Sequence, residues 1–189
     1  KNLSERLIQT TTNKEKKPIE RYTDQINKKE GKIIEYTENK LYEGIFKHFL
    51  TQTNNQIEKE INFTSSSVHG NSDSYQPRNV VKFGNQNETF HSSNEQGSWI
   101  CFEFKNHHVI PTHYTIRSRN WSSNSVHPKS WVIEGSKDNK EWDTIDKEDN
   151  CSFLNGNALV HTFSMNQGCS KEFKYIRMRS TGPDWSSTN

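Results

Sequence analysis

Apolar residues are scarce in this 189-residue chain, of which only 29% is hydrophobic. That supply fills the core of one domain of ordinary size and leaves other stretches poorly buried. There is no long apolar run and no signal-type hydrophobic segment, so no membrane-spanning helix is expected, and no membrane insertion. Charge of one sign is lacking too. Lys and Arg total 25 against 23 Asp and Glu, and no basic stripe is threaded by aromatics, so nucleic acid is not an expected partner. The three cysteines, Cys101, Cys151 and Cys169, are far apart and form no C-x-x-C pair. They offer neither a disulfide framework nor a zinc knuckle, and reduced thiols in a cytoplasmic protein are the expectation. Cys101 falls inside the apolar stretch 99–104 and reads as a small buried hydrophobe.

Catalytic signatures are missing as well. The chain has no G-x-S-x-G elbow, no H-E-x-x-H and no phosphate-binding glycine loop. Of the eight histidines, His107, His108 and His113 are the densest group. Adjacent residues of an extended stretch point to opposite sides, which suits chelation poorly, so no metal is expected there. The pairs Asp138/Glu141 and Glu148/Asp149 fall in polar turns and read as solvated charge. These observations predict a chain without catalytic residues, metal or cofactor.

What the chain does contain is aromatic rings and strand periodicity. Residues 1–40 form a charged arm, with Lys14-Glu15-Lys16-Lys17 and Lys28-Lys29-Glu30, in which Pro18 could open a loosely spaced helix through Ile19, Tyr22 and Ile26. Over 41–50, Leu41, Ile45, Phe46 and Phe49 share one helical face and predict a short covering helix. From Ile57 the period becomes that of a strand. Extended segments are predicted at 57–64, 99–104, 114–118, 131–136, 158–163 and 173–179, divided by polar turns at 84–87, 94–97, 137–140, 155–157 and 167–168. Short strands between polar loops predict an all-β antiparallel sandwich over 41–189. Within it, Trp131 and Ile133 should point inward, 137–140 should turn the chain, and Trp142 should return to cap the core.

Four segments in order carry a family resemblance. Pro77-Arg78-Asn79-Val80-Val81 is followed by Gly84, Thr89, Phe90 and Ser92-Ser93. Then come Gly97-Ser98-Trp99-Ile100-Cys101-Phe102-Glu103-Phe104, the hairpin Trp131 to Trp142, and Phe173-Lys174-Tyr175-Ile176-Arg177-Met178-Arg179. Together they resemble the discoidin, or coagulation factor 5/8 type C, family. The resemblance implies a discoidin-like jelly-roll β-sandwich whose loops at one end form a binding face: 65–76, 84–91, 119–128 and 182–187. On that face the expected ligand-binding residues are Arg119, Asn120, Trp121, His127, Asp184 and Trp185, because aromatic faces stack on sugar C–H surfaces while amide, acid, guanidinium and imidazole groups bond hydroxyls. Protein interfaces use the same mixture.

The chain departs from the pattern in three places. No cysteine stands at either end of the domain to form the disulfide of secreted members. Phe83 replaces the Asp that calcium-binding relatives place before Gly84. The sequence stops after 181–189, where a closing strand would follow, so a stretch of a longer protein is expected. The first functional expectation is accordingly a non-catalytic protein-interaction or scaffold domain of a larger intracellular, cytoskeletal protein. The alternative is a lectin-like carbohydrate-binding module for galactose-type sugars.

Overall fold

A computed structural model describes residues 31–83, 88–165 and 170–187. The helix expected from Pro18, the turns at 84–87 and 167–168, and Cys169 lie outside the described residues. The chain divides into two units, Lys1–Glu35 and Tyr36–Asn189, and all the described strands belong to the second.

That unit opens with one helix, α1 (Ile45–Gln52), and continues through strands β1 (Ile61–Ser65), β2 (Trp99–Phe104), β3 (His113–Arg117), β4 (Trp131–Ser136), β5 (Asp143–Glu148), β6 (Val160–Ser164) and β7 (Tyr175–Ser180). A five-stranded sheet has the order β1-β2-β7-β4-β5, and a two-stranded sheet pairs β3 with β6. All these pairings are antiparallel. The registers Ile61↔Phe104, Phe102↔Ile176 and Ile133↔Met178 put one alternating set of apolar side chains on one face of the large sheet.

The core forms where that face is covered. Trp131, Ile133, Leu154, Phe163 and Met165 are buried together, with Tyr114 and Ile116 of the small sheet packed on them. A polar thread ties the two sheets through this cluster. The Trp131 indole N–H donates to the Tyr114 hydroxyl at 3.1 Å, and that hydroxyl donates to Asp146 at 2.7 Å. Burial, reinforced by the bond to Asp146, pushes the Tyr114 phenol far above its ordinary range. A second cluster gathers Phe49 of α1 with Ile57, Ile61, Val81 and Phe104. At Gly135 the ring of Phe173 lies so close that a Cβ would meet it at 2.6 Å, which explains a glycine in the middle of a buried strand.

Four details correct the sequence reading. Ile57 is buried in a 3₁₀ turn (Ile57–Lys59) rather than opening a strand, which begins only at Ile61. Leu41 precedes α1 and is exposed, so the apolar face of the helix is Ile45, Phe46 and Phe49 with Leu50. The edge strand β5 has a single apolar residue, Ile145, and gives no period to read. Trp142 does not cap the core. Its ring lies under the Arg177 guanidinium at 3.9 Å, and Arg177 projects from the face of β7 opposite Ile176 and Met178.

On that outer face Glu134, only 5% exposed, accepts from Arg177 Nε at 2.6 Å and from Arg179 Nη2 at 2.7 Å. Burial pushes the Glu134 carboxyl up, but the bonds from Arg179 and Arg177 outweigh it and hold it below its ordinary value. The β4–β5 turn is closed by its own side chains. Asp138 Oδ1 accepts from the backbone N–H groups of Lys140 and Glu141, and Ser136 Oγ accepts from those of Asp138 and Asn139. Asn139 takes the positive φ of 62° that the turn needs.

Candidate loop binding site

Three loop segments are laced together beyond the strand ends. After β1, Ser67 Oγ donates to Glu95 at 2.6 Å and accepts from the Ser93 N–H at 3.0 Å. Bonds from the Ser66 and Ser67 hydroxyls hold the Glu95 carboxyl below its ordinary value. Further along, the His69 N–H donates to the His91 carbonyl at 2.9 Å, the Thr89 N–H to Ser74 and the His91 N–H to Tyr75. Buried Asn79 braces both sides, its Nδ2 donating to the carbonyls of Asp73 and Thr89. This lacing brings three rings together. His91 lies 4.8 Å from His69 and 5.6 Å, edge-on, from Tyr75.

The loop after β3 meets them. Its root is fixed at buried Ser118, whose N–H donates to the Leu159 carbonyl and whose Oγ donates to Gly156 and accepts from the Leu159 N–H. The Ala158 N–H donates to the Arg119 carbonyl. From this root the Arg119 guanidinium extends over the Trp121 ring at 3.6 Å, near the Tyr75 ring at 5.2 Å, and donates to the Tyr75 hydroxyl at 3.2 Å. Trp121 stays 40% exposed. These contacts link Arg119, Trp121, His69, Tyr75 and His91 into one platform, and none of the five lines the depression formed by Phe63, Asp73, Gln76, Pro77 and Arg78.

The six residues expected from sequence separate into two groups. Arg119 and Trp121 stack on the platform, Asn120 is exposed between them, and the Asp184 carboxylate acts electrostatically on His91. His127 and Trp185 occupy a different place. His127 is fully buried, with Nε2 at 2.9 Å from the Ser122 carbonyl and 3.2 Å from that of Trp121, so its ring braces the loop from beneath. Trp185 is held by other partners. Its indole N–H donates to the Cys151 carbonyl at 3.2 Å and Lys129 lies over its ring. A side chain with no exposed surface cannot touch a ligand on an intact surface, which corrects the placement expected for His127. The rings that take their places, His69, Tyr75 and His91, lie in loops 65–76 and 84–91, which the family pattern marks without singling out these residues.

Electrostatics divide the platform further. Burial, then the neighbouring His69 and Arg119, push the His91 imidazole below its ordinary range, and Asp184 only partly opposes them. Its Nδ1 is buried without a hydrogen-bond partner. Among the described residues no group of three or more His, Cys, Asp or Glu could hold a metal ion. At the calcium loop of some relatives, the carbonyl of Phe83 accepts from the Arg117 guanidinium at 3.0 Å, so a fixed positive charge already occupies that oxygen. Phe83 for Asp and a guanidinium on its carbonyl do not fit a calcium site.

The chain is similar to known domains. A family model for the F5/8 type C domain matches residues 62–189. CpGH89CBM32-5 from Clostridium perfringens, solved in complex with GalNAc-β-1,3-galactose, is 16% identical, with 65% of this chain and 85% of that one covered at a TM-score of 0.51. CBM32-3 from a family 31 glycoside hydrolase of the same organism is also 16% identical, covering 70% and 85% at 0.49. Chitosan-binding module 1 from a chitosanase/glucanase of Paenibacillus sp. IK-5 is 16% identical, covering 65% and 83% at 0.47. No curated protein matches the chain. The family model takes in well over half of the sequence and the sandwich agrees with it: this chain belongs to the F5/8 type C domain family, as a non-catalytic binding module.

Proposed function

We propose that the module binds carbohydrate, of galactose type, through the platform of Tyr75, His91, Arg119 and Trp121. One observation carries the reading: an exposed indole fixed from one side by a guanidinium that is itself bonded to a tyrosine hydroxyl. A flat apolar face next to immobilised hydrogen-bonding groups suits a pyranose, whose C–H face stacks while its hydroxyls seek partners. The likeness to a module solved with GalNAc-β-1,3-galactose supports this reading over protein docking. The expected scaffold role, with its intracellular and cytoskeletal placement, gains no support from that likeness, and the sugar reading does not require it.

The test is a titration of the chain with a panel of mono- and disaccharides, followed by tryptophan fluorescence. A saturable response to one sugar class, lost in Trp121→Ala with the fold intact, is expected. A flat response across the panel would discard the reading and return protein docking to first place.

A further inference from the structure

Residues 36–42, which precede α1, dock on the sandwich through a ring at each end. Tyr36 stacks on His113 at 4.2 Å, and Tyr42 stacks on Phe83 at 4.7 Å with the ring planes 12° apart. Between them the Lys40 N–H closes a turn on the Thr37 carbonyl, and Leu41 is exposed. Tyr42 is costly to hold there. Its φ of 67° lies in the left-handed region that a bulky side chain seldom adopts. Its hydroxyl is buried with no hydrogen-bond partner among the described residues. Burial raises the phenol above its ordinary value, and the nearby Arg117 charge only partly offsets this. Such a conformation persists where the surroundings over-determine it, and here those surroundings include the Phe83 ring.

Phe83 stands at the root of a platform loop. Its carbonyl accepts from the Arg117 guanidinium at 3.0 Å. The preceding residue, Lys82, forms an ion pair with Glu88, and Asn79 Nδ2 donates to the Thr89 carbonyl at 3.4 Å. From there the Thr89 N–H donates to the Ser74 carbonyl and the His91 N–H to the Tyr75 carbonyl. A chain of contacts thus runs from Tyr42 to two rings of the platform. We infer that Tyr42 is a positioning residue, whose ring latches Phe83 and thereby fixes the loop that presents His91 and Tyr75 to the ligand; this rests on the sugar reading above. The working part is the ring. The hydroxyl, buried and unbonded, contributes nothing to the latch and costs stability. A side chain that merely filled the core would protect the whole sandwich alike, whereas a latch protects the segment it holds.

The experiment measures amide hydrogen exchange on the full chain without ligand, in the unmodified protein, Tyr42→Ala and Tyr42→Phe. In Tyr42→Ala the Thr89 and His91 amides should exchange about tenfold faster or more, while those of Trp131–Ser136 keep their rates. Tyr42→Phe should restore slow exchange and melt at or above the temperature of the unmodified chain. Phe83→Leu removes the stacked partner but keeps an apolar side chain, and should reproduce the Tyr42→Ala pattern; it decides the matter if Tyr42→Ala does not fold. Unchanged exchange at Thr89 and His91 would overturn the latch, and so would faster exchange throughout the sandwich or a failure of Tyr42→Phe to restore. With a sugar that binds the unmodified chain, Tyr42→Ala should bind about threefold more weakly or worse. Equal affinity beside faster loop exchange would overturn the positioning role and leave the sugar reading standing. Binding of no sugar in the panel would overturn the sugar reading and the positioning role with it, while the exchange rates would still show whether Tyr42 holds the loop.

Discussion

The domain contains two arginine–tryptophan stacks of nearly the same geometry, and their surroundings are opposite. On the outer sheet face Arg177 lies 3.9 Å over Trp142, with its Nε bonded to the buried Glu134. In the loops Arg119 lies 3.6 Å over Trp121, bonded to a tyrosine hydroxyl and, among the described residues, to no acid. The first stack is complete. Its charge is neutralised, its carboxylate accepts from two arginines, and the strand register of β4 and β7 holds Glu134 opposite Arg177. The second is held in place yet leaves its indole 40% exposed. A stacked arginine and tryptophan are therefore ambiguous by themselves, and what decides their role is whether their remaining bonding capacity is already spent.

The largest effect that should separate the two stacks is on stability. Replacing Glu134→Gln strips two partly exposed guanidinium groups of their acid and should cost about 2 kcal/mol, read by denaturant unfolding, with sugar affinity of the folded protein unchanged. Trp121→Ala should do the reverse, weakening sugar binding by about tenfold or more while shifting stability by less than about 0.5 kcal/mol, since its ring is 40% exposed. Acid should separate them next. Because the Glu134 carboxyl is held below its ordinary value of 4.5, its contribution is fully present above that pH and is lost as pH falls through the depressed folded value. Unfolding curves measured against pH should show this acid loss in the unmodified chain and a flatter profile in Glu134→Gln. The smallest effect concerns metal: a chelator should leave the melting temperature unchanged, because Arg117 rather than a bound cation holds the Phe83 carbonyl.

The same contrast explains what could be read from sequence. The strands Trp99–Phe104 and Trp131–Ser136 were legible because burial on one face imposes a period of two, and because the hairpin residues Ser136, Asp138 and Asn139 carry their turn within the local chain. Strand β5 was not legible. Its buried residue is an acid, Asp146, kept inside by a bond from Tyr114 that arrives from the other sheet. At the site, the family pattern led to Arg119 and Trp121, which are neighbours in sequence. It could not separate buried His127 from His69 and His91, because a histidine's burial depends on which distant loop crosses it. Trp142 shows the same limit. Its place in the hairpin is local, but the side of the sheet on which it stacks is set by Arg177, which lies far along the chain.

The central claim is that the loop stack binds and the sheet stack does not, and the five tryptophan indole N–H resonances report on it directly. In an NMR titration with the sugar that binds, the Trp121 resonance should show the largest shift, while those of Trp131 and Trp142 stay in place. A largest shift at Trp142, or saturable binding that leaves Trp121 unmoved, would contradict the account.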